Sequence, residues 1–237
     1  MKIIILKGKH LIFSAGCVLL IMLGFIFIWN NNISVLQYAL LREPIRNGDP
    51  SLSKAAITCN VDWGNEVIPE ILEVLEDKNI KITFFVTGRW ASKYPELLQE
   101  IYDRGHEIGN HGYSHKAHSK MNEKENYLEI KKAEEAIEKV LGIKLKYFAP
   151  PSGDYGEATL EAAEKLGYQT ILWSIDTIDW KEGSTADVIL SRVMKKPHHG
   201  AILLMHPKSE TAKALPILID KIREEGIQLG TVSNLLE

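Results

Sequence analysis

This 237-residue chain has little cysteine and no large excess of charge of either sign. The two cysteines, Cys17 and Cys59, lie in an N-terminal apolar run and in a strand-like run, which argues against a disulfide between them. The formal net charge is only -3, which gives no indication of nucleic acid as a partner. The composition is that of a globular protein, 45% hydrophobic and 25% charged, and it suffices for one sizeable core.

Charge is also absent from one long segment near the N-terminus. The run from Leu11 to Trp29 contains no charged residue, and its roughly 19 residues are enough to cross a bilayer as a helix. Lys2, Lys7 and Lys9 precede it, which predicts a cytoplasmic N-terminus. The asparagines after the run make a poor signal-peptidase site. We therefore predict a cytoplasmic tail and signal-anchor transmembrane helix over 1–32, in a single-pass cell-membrane protein whose remaining chain is extracytoplasmic.

Turn-forming pairs come next in the chain. Glu43-Pro44, Asn47-Gly48 and Asp49-Pro50 lie within residues 33–53, which we interpret as a juxtamembrane linker. From residue 54 to 237, apolar runs alternate with segments of helical periodicity. The pattern predicts strands over 55–59, 82–86, 108–110, 170–174, 200–205 and 227–232, and helices over 67–77, 94–104, 122–141, 158–166, 186–194 and 215–225. Continuously apolar strands that alternate with helices indicate an α/β domain whose parallel sheet is covered by helices.

Side chains that can carry out chemistry follow the ends of several predicted strands. In a β/α barrel, all of these strand ends open onto one face, so we expect the side chains to meet in one active site. The set consists of Asn60, Asp62, His111, His115, Asp176, Asp179 and His206.

Two of these residues, His111 and His115, have the spacing of metal ligands. A helical turn at Tyr113-Ser114 would project both rings from one face. Two histidines and one carboxylate form an open zinc site with room for a water, and such a metal lowers the pKa of that water toward about 7. With one of the aspartates as the carboxylate and His206 to protonate a leaving amine, the set favours metal-assisted hydrolysis of an amide or ester.

The order of the motifs resembles that of the NodB-type polysaccharide deacetylases, carbohydrate esterase family 4. The resemblance is carried by Thr83-Phe84-Phe85-Val86-Thr87-Gly88, by the run Gly105 to His111, and by Ser114-His115. It extends from about residue 54 to the C-terminus and points to the branch found in sporulating Firmicutes. It implies a distorted, incomplete (β/α) barrel that removes N-acetyl groups from chitin-like or peptidoglycan sugars, so the expected partner is a cell-wall glycan.

The resemblance also implies a role for each matching residue. Asp62, His111 and His115 would hold a divalent metal, for which zinc is the first choice and cobalt, nickel and iron are alternatives. His206, at the end of the fifth motif, would be the catalytic acid.

Two further motifs would complete the site. Asp179 and Trp180 form the fourth motif, in which Trp180 would either stack on the sugar or pack as a buried residue. The third motif supplies three substrate-binding positions, Pro150, Pro151 and Ser152. The backbone N–H of Ser152 would act as an oxyanion donor, a role that does not need its side chain.

The chain departs from the family pattern at two linked positions. The first motif usually reads Thr-Phe-Asp-Asp-Gly, whose first aspartate is the base, whereas here Asn60 occupies that position and Asp62 comes one residue later than the usual ligand. The third motif has Ala149 where an arginine would orient the base. Loss of a general base typically costs about 100- to 10,000-fold in rate. An amide has no charge for a guanidinium to balance, and a buried unpaired arginine is costly, so the two replacements fit together.

Three functions follow from these observations. The first hypothesis is a membrane-anchored, metal-dependent N-deacetylase of cell-envelope glycan, in which either metal-bound hydroxide acts with His206 alone or Asp179 takes over as base. The second is a catalytically impaired member of the family that binds peptidoglycan or chito-oligosaccharide in sporulation or envelope assembly. The third is a metal-dependent amidohydrolase for a small molecule, which the predicted anchor disfavours.

Overall fold

The structure is a computed structural model that describes Met22 and residues 43–237. The predicted cytoplasmic tail and signal-anchor helix, 1–32, lies outside the described residues except for Met22, and so does the first half of the predicted linker. Within the part of the chain that is described, no helix combines the length and the apolar character needed to cross a membrane.

One parallel sheet of eight strands organises residues 43–237. The strands are β1 Lys54–Val61, β2 Thr83–Val86, β3 Glu107–Asn110, β4 Tyr147–Phe148, β5 Gln169–Thr170, β6 Ile175–Asp176, β7 Ile202–Met205 and β8 Gln228–Gly230. Their order is β5-β4-β3-β2-β1-β7-β6, and β8 pairs with the first half of β1. All of these pairings are parallel. The sheet curls into a half-barrel, so the predicted α/β fold with a parallel, incompletely closed barrel is confirmed.

Helices follow most of the strands. Those in the described residues are α1 Ile68–Asp77, α2 Gly88–Lys93, α3 Pro95–Asp103, α4 Glu123–Leu141, α5 Glu157–Lys165, α6 Ala186–Val193, α7 Ser209–Glu224 and α8 Val232–Leu236, with 3-10 turns at His118–Lys120 and Pro151–Gly153. The longest helix, α4, shows why its ends lie where they do. Asn122 and Glu125 form a reciprocal capping box at its start, and Gly142 in the left-handed conformation ends it.

Part of the predicted linker is bound to this domain. The backbone N–H of Ile45 donates to Thr170 at 2.8 Å, and the N–H of Gly48 donates to Gly200 at 2.7 Å. The segment therefore runs from the β5 edge of the sheet to the residues that precede β7.

The structure corrects several sequence expectations. Of the predicted strand 170–174, only Thr170 belongs to a strand, β5, and Trp173 lies between β5 and β6, which pair with different neighbours. The predicted last strand stops at Gly230, because Thr231 caps α8. The short helices α2 and α8 were not predicted. The expected helical turn at Tyr113-Ser114 is not formed, and His115 instead has a left-handed backbone with φ of 56°.

The central strand β1 divides its side chains between two environments, because side chains alternate along a strand. Ile57, Cys59 and Val61 belong to the large core that includes α1 and α7. Ala56 belongs instead to a smaller apolar cluster inside the curl of the sheet, which also contains Phe85. The same alternation places Asn60 above Ala56 on the inner side, at the carboxyl end of the strand.

His106 is a buried histidine at the opposite end of the sheet, just before β3. Its Nδ1 accepts a hydrogen bond of 3.2 Å from the backbone N–H of Ile82, so this nitrogen carries no proton. Burial, with the nearby charges of Lys81 and Arg104, lowers the pKa of His106 to about 4. The folded protein therefore holds this ring in its neutral form.

We predict that His106 makes the protein less stable in mild acid. Its pKa is about 6.5 in the unfolded chain and about 4 in the folded one, so the unfolded state binds more protons between these values. The free energy of unfolding must then fall as the pH drops from about 6.5 to about 4. A His106→Asn variant keeps an acceptor for the Ile82 N–H but does not titrate. Its free energy of unfolding, measured in urea at pH 7, 5.5 and 4.5, should therefore fall less steeply with decreasing pH than that of wild type. Parallel pH profiles for the two proteins would contradict this prediction.

Candidate active site

A cavity of about 350 Å³ opens where the inner strands end. It is lined by Asn60, Trp63, His111, His115, Ser152, Trp173, Asp176, Trp180, Leu204 and His206. Seven of the predicted site residues are among these: Asn60, His111, His115, Ser152, Asp176, Trp180 and His206. Asp62 lines a second cavity, which shares Trp63 with the first. Pro150 and Pro151 are buried and do not line the cavity with Ser152.

His206, the first residue after β7, is held by Asp179. Its Nδ1 lies 2.7 Å from Asp179 Oδ1, and its backbone N–H donates to Asp179 Oδ2 at 2.7 Å. The hydroxyl of Thr211 donates to the same Oδ2 at 2.7 Å. Burial alone would raise the pKa of Asp179, but the hydrogen bonds and charge of His206 outweigh it and hold this pKa below its usual value. Because a carboxylate only accepts hydrogen bonds, the neutral His206 ring carries its proton on Nδ1 and exposes a bare Nε2.

This geometry gives Asp179 a positioning role. Both of its oxygens are engaged by His206 and Thr211, and its side chain is fully buried. It orients the imidazole, as a carboxylate beside a catalytic histidine does. The geometry therefore disfavours the idea that Asp179 takes over as the base, because it has no free oxygen directed at the cavity.

His111 and His115 come together without the predicted helical turn. Their ring centroids are 5.2 Å apart and the ring planes lie at 73°. The left-handed conformation at His115 turns the chain so that its ring reaches the same cavity. The loop between them is fixed by backbone hydrogen bonds from Gly88 to Gly112 at 3.0 Å and from Arg89 to Tyr113 at 3.1 Å.

The protonation state of both rings suits them to act as metal ligands. The Nδ1 of His111 lies 2.7 Å from the carbonyl oxygen of Ala149, which can only accept, so its Nε2 is bare in the neutral ring. Burial lowers the pKa of His111 to about 3 and also lowers the pKa of His115. Neutral imidazoles are the form that binds metals, and the hydrogen bond to Ala149 also fixes the tautomer of His111.

The carboxylate of Asp62 is occupied by a different cation. Its Oδ1 accepts from Arg89 Nε at 2.6 Å and from the Thr87 hydroxyl at 2.8 Å, and its Oδ2 accepts from Arg89 Nη2. Burial would raise the pKa of Asp62, but these hydrogen bonds keep it below its usual value. Across Met22 and residues 43–237, no three His, Cys, Asp or Glu side chains are arranged to hold a metal. As arranged, these side chains do not fit a divalent cation, and the metal stays a prediction.

The surroundings of Asn60 and Ala149 agree with the inference from the sequence that these two replacements belong together. Asn60 is buried and lines the cavity, but its amide cannot take a proton from a nucleophile. Ala149 packs in the inner apolar cluster with Phe85 and Tyr147. A guanidinium at position 149 would lie in this apolar cluster with no carboxylate at position 60 to pair with.

Aromatic side chains surround the mouth of the cavity. Trp180 is 55% exposed and Trp63 is 40% exposed. The Trp63 ring stacks on that of His206, with centroids 6.0 Å apart and planes at 10°. Trp173, which lay inside a predicted strand, also lines the cavity. Ser152 has a left-handed backbone with φ of 56°, and such strain is common in residues that contact ligands.

Sequence reasoning missed Arg89 and Trp173. Arg89 comes three residues after β2, so the same attention to strand ends would have found it. Trp173 was not predicted to line the site, because the apolar run around it gave no sign that β5 ends before it and β6 begins after it.

We predict that Asp179 fixes the tautomer of His206. In wild type, long-range proton–nitrogen NMR spectra should show the neutral ring protonated on Nδ1, since the carboxylate can only accept. In Asp179→Asn, the amide can also donate, so the form protonated on Nε2 should become populated. Thr211→Val removes another hydrogen bond of Asp179 and is the control, which should keep the wild-type tautomer. An unchanged tautomer in Asp179→Asn would refute the assignment.

Comparison with known proteins places this site in a family. The model of the family Polysaccharide deacetylase matches residues 48–171. An uncharacterised Bacillus subtilis protein, YlxY, is 40% identical over 204 residues, which cover 86% of this chain and 64% of that protein. The peptidoglycan-N-acetylglucosamine deacetylase of Bacillus cereus is 33% identical over 192 residues, 78% of this chain and 70% of the enzyme.

A solved structure is similar at the same level of identity. The crystal structure of BA3943, a CE4 family pseudoenzyme from Bacillus anthracis, superposes with a TM-score of 0.81 and 40% identity, over 83% of this chain and 69% of that one. A mutant of that pseudoenzyme with restored enzymatic activity superposes with a TM-score of 0.81 and 38% identity, over 83% of this chain and 72% of that one. This chain belongs to the polysaccharide deacetylase family, carbohydrate esterase family 4, as its motifs predicted.

Proposed function

We propose that this protein recognises N-acetylated peptidoglycan glycan at the strand-end cavity and that it deacetylates this glycan poorly. The observation that carries the proposal is the amide of Asn60 in the cavity wall, at the position where the family pattern has the base. Without a carboxylate there, the cavity can still bind a sugar but lacks a proton acceptor at the position where the family pattern has one. The similarity to a CE4 pseudoenzyme supports the same conclusion.

The lining of the cavity supports the glycan part of the proposal. Its volume of about 350 Å³ lies at the lower end of the roughly 300–1,000 Å³ of small-molecule sites, which suits a unit of a sugar chain. Trp180 and Trp63 present exposed faces beside it, and aromatic faces bind the apolar faces of sugar rings while the polar edges stay hydrated. The similarity to a peptidoglycan-N-acetylglucosamine deacetylase indicates which glycan to test first.

Slow, metal-dependent N-deacetylation of the same glycan is the second candidate. The intact pair of His206 and Asp179 favours it, because this pair can deliver a proton to a leaving amine. The metal itself and its identity remain proposals that rest on the residue types at positions 62, 111 and 115. The location of the domain outside the cytoplasmic membrane, which access to peptidoglycan requires, rests likewise on the predicted signal anchor.

We expect the missing base to be restorable. The double variant Asn60→Asp with Ala149→Arg should release acetate from N-acetylglucosamine oligomers about 100- to 10,000-fold faster than wild type, the range for one general base. Adding His206→Ala to this variant should abolish the gain. Thermal unfolding of each protein shows whether the arginine is accommodated in the apolar cluster. Wild-type acetate release as fast as that of the folded double variant would show that Asn60 does not limit the reaction.

Glycan recognition has its own test. Trp180→Ala should weaken the binding of an N-acetylglucosamine oligomer or a soluble peptidoglycan fragment by about 2- to 12-fold, since an aromatic contact is worth roughly 0.5–1.5 kcal/mol. Tyr102→Ala is the control, because Tyr102 is also an exposed aromatic residue but lies on α3 and does not line the cavity. Isothermal titration calorimetry measures both. Equal affinities for the Trp180 variant and wild type would place the glycan elsewhere.

A further inference from the structure

The chain supplies a cation of its own to the carboxylate that the family pattern assigns to a metal. Arg89 binds Asp62 with two parallel hydrogen bonds, from Nε to Oδ1 at 2.6 Å and from Nη2 to Oδ2. The Thr87 hydroxyl adds a third donor to Oδ1 at 2.8 Å. A two-point contact of this kind matches the planar guanidinium to the planar carboxylate and is the strongest geometry for such a pair.

The backbone fixes Arg89 in this position. Thr87 caps the start of α2, its N–H donates to Val61 at 3.0 Å, and the N–H of Arg89 donates to Tyr113 at 3.1 Å. The first turn of α2 is thereby tied both to the end of β1, which carries Asp62, and to the loop that carries the two histidines. The contact between Arg89 and Asp62 is therefore built into the same framework that assembles the cavity.

We propose that Arg89 is the resident cation of this site and that it competes with a divalent metal for Asp62. The charges support this assignment. Asp62 and Arg89 together form a neutral pair. While Arg89 is in place, the three expected ligands thus present no net negative charge to a dication, and both oxygens of the only carboxylate among them are already bound.

The exposure of the two partners indicates that Arg89 weakens metal binding without abolishing it. The Arg89 side chain is 50% exposed, whereas that of Asp62 is 9% exposed. A guanidinium that is half in water regains hydration when it moves away, so breaking this pair costs less than breaking a fully buried one. The buried carboxylate would stay in place and become free for a metal. Arg89 thus sets the metal affinity of a site whose other ligands are fixed.

Metal titration tests this inference directly. The full chain, prepared without a histidine tag, is titrated with Zn²⁺ by calorimetry and with Co²⁺ by visible absorbance, as wild type and as Arg89→Gln. The variant should bind at least tenfold more tightly. Arg89→Lys keeps the charge but loses the two-point contact, so its affinity should lie between the two.

Arg104→Gln is the matched control. Like Arg89, Arg104 is paired with carboxylates, here those of Glu76 and Glu100 at 2.7 and 2.8 Å. Its replacement by Gln changes the net charge by the same amount as Arg89→Gln. It precedes β3, whereas His111 follows this strand, so the two sites lie at opposite ends of the sheet. Arg104→Gln should therefore keep the wild-type metal affinity.

Several results would overturn the inference. Equal affinities of wild type and Arg89→Gln, with or without measurable binding, would show that Arg89 does not control a metal. Metal binding by Arg89→Gln that survives the addition of His111→Ala would place the ion outside this site. None of these results depends on glycan binding or acetate release, so the failure of this inference and the failure of the proposed function can be distinguished.

Discussion

The position of β1 at the centre of the curled sheet is the constraint on which the candidate site depends. This strand pairs with β2, β7 and β8, and its inner side chains rise from the apolar cluster at Ala56 to the polar cavity at Asn60. Because neighbouring strands run parallel, the residues that follow β3 and β7 arrive at the same edge. His111 and His206 therefore meet the end of β1 although they are far apart in the chain.

The charges of the site follow a single rule, which is that a buried charge keeps a partner. Asp179 is buried and has both His206 and Thr211. Asp62 is nearly buried and has Arg89. At the base position neither the carboxylate nor its arginine is present, and Asn60 and Ala149 leave no charge unpaired. The replacement of two family residues at once is thus a smaller disturbance to folding than the loss of either alone.

Sequence patterns predicted the class of fold and the residues at the strand ends, because apolar runs and helical periodicity are local properties. They could not predict which strand pairs with which, so the run around Trp173 was taken for one strand although β5 and β6 join different neighbours. The four-residue spacing of His111 and His115 suggested a helical turn, whereas a single left-handed residue brings the rings together. The contact of Arg89 with Asp62 joins the first turn of α2 to the loop after β1, and no local pattern reveals it.

The two activities expected of this fold depend on different parts of it, and this explains how one can weaken while the other persists. The exposed tryptophans, Trp63 and Trp180, lie on loops after β1 and β6, where they shape the mouth of the cavity. The proton-accepting position, Asn60, lies within β1 and is buried. An aspartate and an asparagine have nearly the same shape, so this replacement removes a charge without altering the wall that a sugar contacts. A family member with asparagine at this position can therefore keep the shape of the cavity without a base in its wall.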